Sequence, residues 1–184
     1  MQTLGLSNPE PRSEGRFKSL FWPTIKTADD VDYLGTQGFW VCTLVAALSF
    51  VVGVLSGHAL IGIVVLLFFY LGGVGVREHS LYAAAIVLAL YIVDTLAAGS
   101  SVIRLGIGAV LFSNLRATWI ASHWNPASNE AITPPRLRET WSDKFSDTIP
   151  MWLWPKVRVA FYVFSIAFVM LEAAGLGLLL RRRM

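Results

Sequence analysis

Residues 59–98 read ALIGIVVLLFFYLGGVGVREHSLYAAAIVLALYIVDTLAA, two apolar runs (59–76 and 81–98) parted only by Arg77, Glu78, His79 and Ser80. A bilayer core about 30 Å thick takes roughly 20 helical residues to cross, and each run comes near that length. Lipid offers no partner to backbone amides and carbonyls, so a run that crosses it must be a helix. Four intervening residues leave room only for a tight turn. The stretch is therefore predicted to be an antiparallel helical hairpin inside a membrane.

The pattern repeats on either side. Residues 38–56 form an apolar run that ends at Gly57 and His58, and residues 102–121 form another after Gly99, Ser100 and Ser101. Residues 157–180 form a fifth, beyond a long polar loop. The predicted fold class is all-α: a polytopic integral membrane bundle of about five transmembrane helices, the first four paired as two hairpins. The fourth run carries Arg104, Asn114 and Arg116 and is the weakest. In the alternative fold it is a re-entrant or interfacial helix beside four crossings.

Composition agrees. Of 184 residues, 55% are hydrophobic and only 15% charged, against about 45–50% and 25% in soluble domains. The mean hydropathy is +0.59. Four segments follow: 1–27, flexible or interfacial; 28–121, the first four helices; 122–156, a cytoplasmic loop with an aromatic interfacial stretch; 157–184, the last helix and a basic tail. The first run starts too far along the chain to be a cleaved secretory signal, so it reads as a retained anchor. Thr27 followed by Asp30 resembles a capping box, which predicts a helix from about residue 28 running on into the first span. The lone cysteine, Cys42, lies within that span and reads as a small buried hydrophobe.

Orientation follows from charge, because Lys and Arg near short loops favour the cytoplasm. Placing the amino-terminal segment, the Arg77 turn and the 122–156 loop on one side gathers most basic residues there. The other side holds Arg104 and the terminal Arg181, Arg182 and Arg183. Trp22, Trp40, Arg116, Trp119, Trp124, Trp152 and Trp154 fall at or beyond the same boundary and are expected to anchor it, since indole rings and long basic chains favour the headgroup layer. The expectation is a multi-pass protein of a bacterial-type inner or plasma membrane, with its amino terminus cytoplasmic. Net charge of +3 then suits anionic lipid headgroups rather than nucleic acid.

Helices in lipid pack through close backbone approach, which small residues permit. Gly53 and Gly57 form a GxxxG, and Ala109, Ser113, Ala117 and Ala121 recur every fourth residue. These rows are expected to pack the bundle or to meet other membrane subunits or a second copy.

Ionisable groups at membrane depth are the candidate site, because an unpaired charge there costs several kcal/mol. Asp94 lies about 6 Å inside its span and Glu172 about 12 Å, at 1.5 Å per helical residue. Arg104 sits just across a turn from Asp94, so an ion pair is expected, and His58 and Glu172 belong to the same outer half. His58, Asp94, Arg104 and Glu172 are thus expected to share one polar site. Neither a metal-ligand spacing nor a cofactor or nucleotide motif is present. The predicted role is a non-catalytic accessory, assembly or membrane-organising subunit. The alternative is a transporter or channel component working through Asp94, Arg104 and Glu172.

Overall fold

The structure, a computed structural model, describes residues 18, 21–25, 28–99, 101–123 and 141–183, with side chains apart from those of 28, 29, 97, 98, 142, 143 and 171–183. The described chain is all-helical. In order it forms α1 (Ala28–Leu55), α2 (Ala59–Arg77), α3 (Leu81–Ala98), α4 (Val102–His123) and α5 (Trp141–Arg183). Helices α1, α2 and α5 contain stretches long and apolar enough to cross a membrane: Asp30–Leu55, Ala59–Arg77 and Lys144–Met170. Leu81–Leu96 of α3 is a shorter apolar helix, and α4 is diluted by Arg104, Ser113, Asn114, Arg116 and Thr118.

The first two turns share one geometry. At the end of α1 the His58 amide donates to the Gly53 carbonyl (2.8 Å) and the Gly57 amide to Val54 (3.1 Å). At the end of α2 the Ser80 amide donates to Gly75 (2.9 Å) and the His79 amide to Val76 (3.1 Å). Both are Schellman caps, which satisfy orphan carbonyls by turning one residue left-handed. Gly57 takes that place at φ 76°, and His79 takes it at φ 53°. A side chain is disfavoured there, so His79 stores strain that Gly57 does not. Ser80 then caps α3, its Oγ accepting from the Ala83 amide at 3.4 Å and bonded to the Tyr162 hydroxyl at 2.9 Å.

Helix α2 lies centrally, with α1, α3 and α5 packed around it. The core comprises Phe39 and Cys42 of α1, Phe68 and Val74 of α2, Val87 and Tyr91 of α3, Leu111 of α4 and Phe161 of α5. Phe68 is clamped by stacked rings of Phe161 (5.6 Å) and Phe168 (5.1 Å). Outside this core the bundle turns large apolar side chains outward, among them Leu55, Leu60, Ile103, Val163 and Ile166. A surface of that kind is unfavourable in water and suited to lipid. The protein is a helical membrane bundle.

Helix α5 differs from expectation. It begins at Trp141, well before residue 157, and takes in Pro150 and Pro155 within 43 continuous residues. The segment read as an interfacial aromatic loop is helical from Trp141 onward. Each proline removes one i→i−4 bond, yet Pro150 is buried and Trp154 reaches the core, its ring seated against Gly75. Trp154 thus packs on α2 from within the proline-bearing stretch, while Trp152 faces outward. At 1.5 Å per residue α5 is roughly 65 Å long, more than a membrane core requires.

Candidate functional site

The tightest polar constellation sits where α1 begins, α2 ends and α5 begins. Arg77, the last residue of α2, is buried to 9% exposure and donates from Nη1 to Asp32 Oδ1 (2.6 Å) and from Nη2 to Asp147 Oδ1 (2.5 Å). Arg77 lies at the carboxyl-terminal end of α2, where a positive charge complements the helix dipole, and Asp32 and Asp147 reach it from the second turns of α1 and α5. One guanidinium thus ties three helices together. The planar fork of arginine offers a separate nitrogen to each carboxylate, whereas a lysine would present one nitrogen to both.

His79 completes the site. Its imidazole lies over α1 at Gly35, where a Cβ would come within 2.9 Å of its Cε1 and 3.5 Å of Arg77 Nη1. Surrounding packing, followed by the positive charge of Arg77, pushes the His79 pKa below its ordinary value, with Asp32 opposing. Glu78 is pushed the other way by burial, and Arg77 partly offsets this. One turn further into the bundle Asn114 of α4 is fully enclosed. Its Nδ2 donates to the Val110 carbonyl at 2.9 Å, and its Oδ1, aimed at Gly38, has no hydrogen-bond partner among the described residues. The Arg77 Nε, Ser113 Oγ and Trp40 Nε1 are likewise buried without partners.

The residues singled out from sequence are distributed as follows. His58 is exposed at the first turn, and Asp94 is exposed on α3. Among the described residues Asp94 and Arg104 form no ion pair. Arg104 instead folds back along its own turn, Nη1 donating to the Gly99 carbonyl at 3.3 Å, while the Tyr91 hydroxyl donates to the Arg104 carbonyl at 3.2 Å. Arg104 lines the groove between α3 and α4, and Asp94 does not. Glu172 lies in α5, its side chain outside the described residues.

The expected anchors divide. Trp119 and Trp152 are exposed, Trp119 resting on His123 and Trp152 beneath the Lys156 ammonium at 3.7 Å. Trp40 and Trp154 instead pack inside the bundle, Trp40 stacked on Phe145. Trp124 lies outside the described residues. Trp22 stacks on Phe112 of α4 and beneath Arg116, whose Nη1 donates to the Pro23 carbonyl at 3.2 Å. Trp22 and Pro23 therefore lie along α4 rather than apart from the bundle.

The small residues are largely engaged inside the chain. Gly53 meets Gly62 across the first hairpin, a Cβ on Gly53 falling 2.7 Å from the Gly62 Cα, whereas Gly57 serves the turn. Ser113 and Ala117 are buried, Ala121 is half-buried, and Ala109 lines a groove between α3 and α4.

Sequence reasoning missed the Arg77 site. It treated Arg77 as an orientation signal and left Asp147 in a loop. The available signal was an arginine ending a span whose own helix holds no carboxylate within reach. Comparison with known proteins finds no matching family model, no matching curated protein and no matching solved structure.

Proposed function

We propose that this chain is a non-catalytic accessory or assembly subunit of a membrane complex. Asp94 carries that reading. Four residues inside the end of α3 it stands exposed, with neither hydrogen bond nor ion pair among the described residues. A carboxylate at membrane depth is costly unless a partner satisfies it, and this chain turns its own nearby cation, Arg104, to Gly99. A neighbouring helix bearing a basic or amide side chain is the complement. The Arg77 clamp suits the same role, since it fixes the relative positions of α1, α2 and α5 with both carboxylates already engaged by one cation. A group held in that way is poorly suited to releasing and rebinding a proton.

The orientation is part of the proposal. Arg77, Lys144, Lys156 and Arg158 gather toward the end of the bundle that holds Asp32 and Asp147, and Arg104 lies toward the other. The first end belongs to the cytoplasm by the distribution of basic residues.

The test is purification of the full-length chain in a mild detergent, with and without Asp94→Asn. The expected result is an assembly larger than a monomer that Asp94→Asn diminishes, with helicity unchanged. A monodisperse monomer for the unaltered chain sinks the reading. So does loss of proton or solute flux in vesicles bearing Asp94→Asn, which is the outcome the transporter alternative requires.

A further inference from the structure

The groove between α3 and α4 has a volume of about 370 Å³ and is walled by Leu88, Tyr91, Ile92, Leu96, Leu105 and Phe112, with Trp22 across one end and Arg104 at the other. Its size falls within the range that holds a small apolar ligand. Three observations say what fits it. Arg104 donates one long bond, to Gly99, at 3.3 Å, and a guanidinium has five N–H donors. It lies three residues into α4, close to where a helix meets the headgroup layer, and at the positive end of the α4 dipole. From Arg104 to Phe112 the groove runs roughly 12 Å along α4, close to the ~15 Å half-thickness of a bilayer core. The stacked rings of Trp22 and Phe112, 5.9 Å apart, then close it.

Asp94, the nearest carboxylate in sequence, does not line the groove. It is two residues from both Ile92 and Leu96, which do, and at 100° per residue it points about 160° away from each. An anion at Arg104 therefore meets no opposing charge within the groove walls.

We propose that this groove binds one acyl chain of an anionic phospholipid from the leaflet nearest Arg104, with the lipid phosphate on the Arg104 guanidinium and the chain end against Trp22. The phosphate supplies acceptors for the donors that Gly99 leaves unused, and the chain covers the apolar walls. The proposal requires only that the bundle sits in a membrane, and holds whether or not the chain joins a larger complex.

The experiment reconstitutes the full-length chain into phosphatidylcholine vesicles containing a minor fraction of phosphatidylglycerol, with bromine carried on the acyl chains of one lipid or the other. Trp22 fluorescence is taken as the difference from Trp22→Phe. Brominated phosphatidylglycerol is expected to quench Trp22 roughly fivefold more than the same fraction of brominated phosphatidylcholine, the ratio that the attraction of one arginine to a headgroup of net negative charge gives, since both lipids carry a phosphate and only one is anionic overall. Arg104→Gln should remove that preference and Arg104→Lys keep most of it, while Ala109→Phe should suppress quenching by both lipids by filling the groove. Equal quenching of the unaltered protein by the two lipids overturns the proposal. An undiminished preference in Arg104→Gln does so as well. The paired Lys variant separates loss of charge from loss of fold.

Discussion

Arg77 and Asp32 lie 45 residues apart in the chain and 2.6 Å apart in space, joined across the first helical hairpin at the end where α2 stops and α1 begins. Asp147 reaches the same guanidinium from α5. Breaking a buried ion pair by removing one partner leaves the other charge uncompensated. Arg77→Gln is therefore expected to destabilise the bundle by about 2 kcal/mol, below the roughly 3–5 kcal/mol of a fully buried pair because both carboxylates retain some contact with solvent. Asp147→Asn should cost less, since Asp32 remains paired. Thermal unfolding of the detergent-solubilised protein gives both numbers, and an Arg77→Gln protein as stable as the parent would remove the clamp from the account. The double variant Arg77→Gln/Asp32→Asn should lose less than the two singles added together, as coupled partners do.

The first hairpin depends on two glycines meeting. A Cβ on Gly53 would fall 2.7 Å from the Gly62 backbone, so α1 and α2 would have to move apart. Gly53→Val should lower the unfolding temperature markedly. Gly57→Ala, with open space around it but φ of 76°, should cost only about 1 kcal/mol of backbone strain. Equal effects at the two positions would contradict the packing.

His79 should make stability depend on pH. Its pKa is depressed in the folded chain, chiefly by burial and then by Arg77, so the folded state disfavours its protonated form. The unfolded chain takes up the proton near pH 6.5, and stability present above that value is lost as pH falls through it. Glu78, raised by burial, works in the opposite sense and at lower pH, where its protonation favours the folded state. His79→Asn keeps a residue tolerant of the left-handed backbone. It should flatten the stability profile between about pH 7.5 and about pH 5.5. A slope unchanged by that substitution would assign the dependence to other groups.

Orientation can be read from added thiols once Cys42, fully buried against Gly73, is replaced by Ala. In intact cells His58→Cys should react with an impermeant maleimide, and Ser122→Cys only after permeabilisation. Labelling of both from the same side would break the antiparallel arrangement proposed for α1 and α4 in the membrane.

Much of the fold was legible from residues alone. Helices α2 and α3 begin and end within one residue of their apolar runs, because lipid demands helix wherever the chain is apolar and because Arg77 to Ser80 and Gly99 to Ser101 are too polar to remain inside. The start of α1 at residue 28 was legible in Thr27 followed by Asp30. The site was harder. Apolar periodicity says which residues lie at membrane depth, but a helix face is set by whichever neighbour packs on it. Asp94 and Arg104 were expected to pair across the turn at Gly99, but Arg104 bonds the Gly99 carbonyl and lines a groove that Asp94 does not reach. Trp40 and Trp154 carried an interfacial composition and still became core, since Phe145 and Gly75 offered rings and space to pack against.

By itself the sequence determined that this chain is a bundle of helices in a membrane, because the cost of burying unpaired backbone groups in lipid depends on composition and length and hardly on neighbours. Only the tertiary structure decided which charges meet. Arg77 finds Asp32 and Asp147 because the helical extension from Trp141 through two prolines brings α5 to the end of α2. That juxtaposition depends on three-dimensional packing across residues far apart in the chain, which no local pattern records.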